Sequence, residues 1–311
     1  RISGPLAVET TAKLCRQSLP LPRVAGLRSL YLPEGGLLDQ ALVLVFPGPS
    51  SFTGEDCVEL HLHGSRAVVA SSLRLLAGFS GLRMAEPGEF TRRAFQNGKL
   101  DLVEAEGLSD LLAADTEMQR RLAIEQANGH FSTIYESWRD KLVFARAMIE
   151  AELDFSDEGD IPGSVSDRIW SDMSDLLAQM DQAVLNQKSG EIIRDGFKVA
   201  LAGLPNAGKS SLMNSLVQRD VAIVTDVAGT TRDVIRCQLD LDGYKVELFD
   251  TAGLRETTEV VEREGIRRAE RVIADADLVL HLIDGTEPYQ AVPICNDTIW
   301  RVGTKSDRYS H

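Results

Sequence analysis

Among 311 residues there are four cysteines, Cys15, Cys57, Cys237 and Cys295, widely spaced and never as C-x-x-C. That excludes a disulfide scaffold or a zinc knuckle and fits a reducing compartment. No run of about 18 apolar residues occurs, so no membrane-spanning helix is expected. Basic side chains are in deficit, 33 against 47 acidic, for a net charge of −14. Such a surface disfavours a broad phosphate-tracking face, so any nucleic-acid contact is expected to be local or to belong to a partner. No signal peptide is visible, and the chain opens at Arg1 rather than Met, which reads as a chain lacking its first residues. Internal repeats are missing too.

What is present falls into three textures. Residues 1–97 are rich in Gly and Pro, with short apolar runs such as ALVLVF (41–46) and CVELHLHG (57–64). They predict an α+β domain, with one helix over 65–78 capped by Gly78. Residues 98–194 change to a 3.6-residue apolar period and predict a helical domain. Its acidic break DFSDEGDIPGS (154–164) lacks the twelfth-position Glu of a calcium loop, since Val165 stands there, and reads as a solvated loop. Residues 195–311 alternate strands and helices, predicting a parallel-sheet α/β domain. FKVALAG and DLVLHLIDG read as buried strands, and RCQLDLDGYKVELFDTAG as a hairpin turning at Asp242-Gly243.

The chemistry concentrates in the third region. GLPNAGKS (203–210) fits G-x-x-x-x-G-K-[S/T] between a strand and a helix. Its backbone N–H groups would cradle phosphates, Lys209 would reach the β- and γ-phosphates, and the Ser210 hydroxyl would ligate Mg²⁺. DTAG (250–253) follows, with Asp250 placed to hold Mg²⁺ through water and Gly253 to offer its N–H to the γ-phosphate. Between them TDVAGTTRD (225–233) occupies a first-switch position, and Thr231 is the threonine chosen for the Mg²⁺ shell. Three elements in this order predict a P-loop, Ras-like GTPase domain that binds GTP. Near the end, Thr304-Lys305-Ser306-Asp307 stands where a guanine reader is usually written Asn-Lys-x-Asp. Asp307 can accept from guanine N1–H and N2–H₂, and the Lys305 stem can lie over the base, while Thr304 supplies only part of what Asn does. The same string also fits a polar turn. The residue after D-x-x-G is Leu254, which cannot orient a water as the Gln of many small GTPases does.

GLPNAGKSSLMNSL, AIVTDVAGTTRDV and DTAGLRE…VEREGI together resemble the tRNA-modification GTPase family MnmE (TrmE). FPGPSSFTGEDCVEL (46–60) and PGEFTRRAFQNGKLDL (87–102) resemble that family's N-terminal folate-binding domain. The resemblance implies a homodimer formed through residues 1–97, with 98–194 and 195–311 as incomplete helical and G domains. It implies a nucleotide site of Asn206, Ala207, Gly208, Lys209, Ser210 and Ser211, then Thr225, Asp226, Val227, Ala228, Gly229, Thr230 and Thr231. Asp250, Thr251, Ala252 and Gly253 follow, and Thr304, Lys305, Ser306 and Asp307 complete it. It implies K⁺ held by Asn206, Thr225, Val227 and Thr230 in place of an arginine finger, with catalysis by Lys209 and, through a water, Glu262. It implies a formyl-tetrahydrofolate bound by Arg1, Glu59 and Lys99. It also implies an FAD-containing partner, MnmG, with which the wobble uridine of certain tRNAs is modified at C5 to a carboxymethylaminomethyl-type group, in the bacterial cytoplasm or an organellar matrix. The family continues past the guanine loop, so the chain reads as C-terminally truncated, with weak turnover of its own. A second reading is a ribosome-assembly-type GTPase switch without tRNA-modifying activity. On the residues alone, Glu59 with His61 and His63 is a strand face, with a metal pair as the alternative.

Overall fold

The computed structural model describes residues 1–154, 165–217, 235–250, 267, 270–286 and 294–308. The chain divides into two units, Arg1–Glu106 and Gly107–His311.

In the first unit, β1 (Ile2–Ser3), β2 (Gly26–Tyr31), β3 (Leu37–Phe46) and β4 (Cys57–His61) form an antiparallel sheet in the order β1-β4-β3-β2. The run ALVLVF is buried on one face only. Asp39, Ala41, Val43 and Val45 point inward and their neighbours outward, the period of a sheet covered on one side. That face packs on α1 (Ala7–Cys15) and on Leu75 and Leu76 of α2 (Arg66–Ala77). The predicted helix over 65–78 is α2, with the Ser65 hydroxyl accepting from Val68 N–H and Gly78 at its end. α3 (Glu89–Gln96) follows, and α4 (Leu102–Ala113) runs across the unit boundary.

The second unit begins with α5 (Glu117–Ala127), α6 (His130–Asp154) and α7 (Val165–Asp195). α5 opens on a capping box in which Thr116 and Gln119 satisfy each other's backbone. On α6 and α7, Phe144, Leu153, Trp170, Leu177 and Leu185 are exposed. The acidic break is outside the described residues save Asp154.

The sheet of this unit has the order β6-β7-β5-β8-β9, from β5 (Phe197–Ala202), β6 (Ile235–Leu241), β7 (Tyr244–Asp250), β8 (Leu278–Asp284) and β9 (Ile299–Thr304). All neighbours are parallel except β6 and β7, which form the predicted hairpin. Its turn has Asp242 at φ 52° and Gly243 at φ 86°, left-handed at both positions as a two-residue hairpin loop requires. β5 is covered on both faces: Val199 and Leu201 pack with Met213 of α8 (Lys209–Val217), and Ala200 and Ala202 with Val272 and Ile273. The hairpin turn is tied to α5 by Met118 N–H donating to Gly243 O (3.0 Å) and by the Lys245–Asp115 ion pair (2.9 Å). All four cysteines are free. Among the described residues no helix is long and apolar enough to cross a membrane.

Candidate functional site

The parallel sheet sends the C-terminal ends of β5, β7, β8 and β9 to one edge, the edge at which ligands bind in such sheets. The 203–210 loop leaves β5 there. Gly203 has φ 143°, and a Cβ on it would lie 2.5 Å from the Leu282 carbonyl oxygen, so only glycine lets the loop turn off the sheet. Asn206 is also left-handed, at φ 64°. Lys209 is 5 % exposed, and its ammonium donates to the carbonyls of Gly203 and Leu204, both at 2.8 Å. The first helical residues of α8 thus carry a cation held inside the loop. Ser210 Oγ donates to Asp250 Oδ2 at 3.1 Å, so the end of β7 meets the start of α8. One hydroxyl and one buried carboxylate, both hard oxygens, are a donor set suited to Mg²⁺.

Thr304 joins this group. Its hydroxyl lies 2.8 Å from Ala207 O and 3.2 Å from Ile283 O. A hydroxyl has one proton, so it serves one carbonyl well, where the amide of Asn could serve two. The brace between β9 and the phosphate loop is therefore kept, in part, by threonine. Replacing Thr304 with Val keeps the shape and removes the donor. Nucleotide affinity should fall about fivefold, from about 1 kcal/mol, and a GDP titration against the unsubstituted chain reads it. Lys305, left-handed at φ 58°, pairs through its ammonium with Asp284. That ammonium, with the Thr286 hydroxyl and N–H, brings the Asp284 carboxyl down to about 2. Ser306 and Asp307 lie in a single 3-10 turn over Ser306–Arg308, with Asp307 exposed. Asp284 was not singled out in the sequence. Its place at the end of a buried strand, before Gly-Thr, was the available signal.

Ala207, Gly208 and Ser211 are described within the loop and the first turn of α8. Thr225, Asp226, Val227, Ala228, Gly229, Thr230 and Thr231 lie outside the described residues, as do Thr251, Ala252, Gly253 and Glu262.

In the first unit, pairing of Ile2 with Val58 and of Ser3 with Cys57 sets Arg1 beside Glu59. Arg1 Nε donates to Glu59 Oε1 at 2.9 Å, and a terminal nitrogen lies 2.6 Å from the same oxygen. The guanidinium stands over two rings, 5.3 Å from the Phe52 centroid and 5.7 Å from that of Phe90. Both phenylalanines were missed as site residues, although both lie in the strings SFTGED and GEFTRR. Lys99 is brought to neither Arg1 nor Glu59 by any described contact. Its stem lies along Gly54, on the loop that carries Phe52. His61 reaches Glu59 at 3.4 Å and His63 reaches Asp39 at 2.7 Å. Among the described residues no cluster of three or more metal-ligating groups forms.

Behind Arg1 opens a cavity of about 620 Å³ lined by Leu73, Leu76, Met84, Phe90 and Arg93, among others. Its wall is an ion network. Glu89, 4 % exposed, accepts from Arg83 (2.6 and 2.8 Å), from Arg93 and from Glu86 N–H. Arg93 also donates to both oxygens of Glu55, which in turn accepts from Ser3. Chiefly through Arg83, the Glu89 carboxyl is held down to about 2 from an ordinary 4.5. Because the folded value is depressed, its contribution to stability is complete above the unfolded value and disappears as pH falls toward about 2. The difference in melting temperature between the unsubstituted chain and Glu89→Gln should therefore narrow steadily over that window. A difference independent of pH would mean that the charge is not what matters.

A family model described as "GTP-binding protein TrmE N-terminus" matches residues 1–99, and one described as "50S ribosome-binding GTPase" matches residues 198–305. The chain is 59 % identical to the "tRNA modification GTPase MnmE" of Sinorhizobium medicae over 99 % of its own length and 70 % of the relative's. It is 58 % identical to the protein of that name from Rhizobium meliloti, over 100 % of this chain and 71 % of that one. Among solved structures, the G domain of the T. maritima FeoB iron transporter is 34 % identical over 30 % of this chain and 57 % of that one, with a TM-score of 0.22 that adds nothing on the fold.

Proposed function

The chain belongs to the MnmE family of tRNA modification GTPases, a GTP-hydrolysing enzyme of tRNA modification, and from that premise we propose how its residues do this work. The observation that carries the reading is the convergence of Lys209, Ser210, Asp250 and Thr304 on one loop at one sheet edge. GTP enters with its phosphates in the 203–210 loop, where the Lys209 ammonium exchanges loop carbonyls for phosphate oxygens. Ser210 and Thr231 would ligate Mg²⁺, with Asp250 reaching it through a water; the metal would neutralise charge on the phosphates. Asn206, Thr225, Val227 and Thr230 hold K⁺, which supplies fixed positive charge where an arginine finger would stand. Glu262 orients the attacking water, a task Leu254 cannot perform. Asp307 and Lys305 select guanine.

The partition into 1–97, 98–194 and 195–311 is part of the same reading: a dimerising folate domain, a helical connector and the G domain. Arg1, Glu59 and Lys99 bind a formyl-tetrahydrofolate as one-carbon donor, with Glu59 accepting from the ligand's aminopyrimidine edge. Arg1, which pairs with Glu59, lines a cavity of about 620 Å³, and that volume suits a ligand of this size. The partner is the FAD-containing MnmG, which carries most of the tRNA, in keeping with a net charge of −14 here. The bacterial cytoplasm is the expected location. A ribosome-assembly switch is disfavoured because the match to the TrmE N-terminal model covers residues 1–99.

The test is hydrolysis of GTP in K⁺ against Na⁺ at equal ionic strength. A K⁺ rate at least about tenfold higher supports the cation assignment, and equal rates exclude it. Replacing Glu262 with Gln should lower that rate about 10²-fold, within the range for a lost acid–base group, while leaving GDP affinity within twofold.

A further inference from the structure

Asp284 ends β8, and the parallel register sets it against Thr304, the first residue of the 304–307 loop. Its two carboxylate oxygens have separate partners. Oδ1 accepts from the Thr286 N–H at 3.0 Å and from the Thr286 hydroxyl at 2.7 Å. Oδ2 accepts from the Lys305 ammonium. We infer that Asp284 is a positioning residue of the base site: by anchoring the Lys305 ammonium, it holds the lysine stem as a fixed wall for a purine ring. The inference rests on the reading of 304–307 as a base-binding loop. It adds a residue outside that loop and a division of labour. Asp284 sets how tightly a base is held, and Asp307 sets which base.

The physical case has three parts. First, a lysine stem is long and loses much rotamer freedom when it is ordered. Here both of its ends are tied before a ligand arrives. Arg308 N–H on Lys305 O (2.9 Å) closes the turn at the backbone, and Asp284 holds the ammonium. A base that packs on this stem need not order it again. Second, the carboxylate is itself aimed. Thr286 occupies Oδ1, which leaves Oδ2 to the ammonium, and with the Asp284 side chain 11 % exposed the pair is only partly screened. Third, the loop has more need of such a tie than one that begins with Asn. The Thr304 hydroxyl has one proton with which to brace it on Ala207 O. Lys305 is also held at φ 58°, a conformation that a residue with a Cβ resists. Packing of a methylene stem on a ring depends on area and not on the groups along the ring's edge. Guanine and xanthine should therefore feel the wall alike.

The experiment is displacement of a fluorescent GDP analogue by GDP, XDP and ADP. The chains are the unsubstituted one, Asp284→Asn, Lys305→Met and the double variant, each checked for an unchanged melting temperature. The amide keeps the shape of the carboxylate, but its one oxygen can serve Thr286 or Lys305 and not both. Asp284→Asn should weaken GDP about fivefold, the scale of one lost hydrogen bond. The ratios of GDP to XDP and of GDP to ADP affinity should stay within about twofold. In the Lys305→Met background the same substitution should change GDP affinity by less than about twofold, because no ammonium is left to anchor. A residue that merely stabilised the turn would weaken GDP in both backgrounds alike. Should Asp284→Asn fail to fold, Thr286→Val frees the carboxylate without touching its charge. It should weaken GDP about two- to threefold in the Lys305 chain and not in Lys305→Met. If the unsubstituted chain prefers GDP to ADP but the loss is absent, or equal in both backgrounds, Asp284 positions nothing and the base-loop reading stands. A GDP-to-XDP ratio that moves further than twofold places Asp284 in base choice and overturns the division of labour. Equal competition by GDP and ADP on the folded, unsubstituted chain, or none by either, overturns the base-loop reading and this inference together.

Discussion

Alanine in place of Lys209 should abolish GTP hydrolysis, with a loss of at least about 10²- to 10³-fold, the scale for removing one fixed donor from a developing charge. The structure gives a reason for a large effect beyond the lost phosphate contact. The ammonium is 5 % exposed and donates to Gly203 O and Leu204 O at 2.8 Å each. Without it, two inward-facing carbonyls lose a charged donor, at about 1–3 kcal/mol for each one left unmatched. The loop should then reorganise before any nucleotide arrives. Affinity for GDP and the rate with bound GTP should therefore both fall. Lys209→Met keeps the aliphatic stem and separates packing from charge, and should be as inactive as alanine. Lys209→Arg keeps charge but spreads it over a fork that cannot reach into the turn as a compact ammonium does. It should recover loop stability, read by melting temperature, without recovering turnover. Hydrolysis by Lys209→Met within threefold of the unsubstituted chain would remove Lys209 from the mechanism.

The parts of this site written in the sequence are those whose cause is local. The turn at Asp242-Gly243, the helix over 65–78 and the strand–loop–helix over 197–217 each follow from residues within one or two turns of one another. Adjacency across the sheet was not written there. Thr304 meets Ala207 only because β9 follows β8 and β8 follows β5 in the sheet, so the ends of β5 and β9 arrive at one edge, 97 residues apart in sequence. Arg1 meets Glu59 only through the antiparallel register that sets Ile2 against Val58. No propensity scale carries such a register, because the pattern of apolar residues specifies a face but not a neighbour. The same limit hid the link between α5 and the hairpin turn, where Asp115 and Lys245 are 130 residues apart.

Asparagine in place of Asp307 should turn the base preference from guanine to xanthine. A carboxylate accepts, and guanine presents N1–H and N2–H₂ to it. Xanthine has a carbonyl at C2, which repels a carboxylate and takes a donor from an amide. Sites built on such matched hydrogen bonds discriminate strongly because the wrong partner leaves buried groups unpaired. GDP affinity should fall by about 10²-fold or more, and XDP should gain by a comparable factor. The surroundings favour a clean exchange. Asp307 sits in a short turn closed by Arg308 N–H on Lys305 O (2.9 Å), and the Lys305 ammonium is fixed on Asp284, whose carboxyl stays ionised down to about 2. The loop is thus held by Asp284 and by Thr304 on Ala207, and neither contact involves the Asp307 carboxylate. Competition of a fluorescent GDP analogue by GDP, XDP and ADP separates the outcomes. A switch to XDP makes TKSD a working guanine reader despite its threonine. Loss of GDP without gain of XDP, in a folded variant, makes Asp307 a structural member of the turn. Unchanged GDP binding leaves TKSD a polar turn, and base selection must then come from outside residues 304–307.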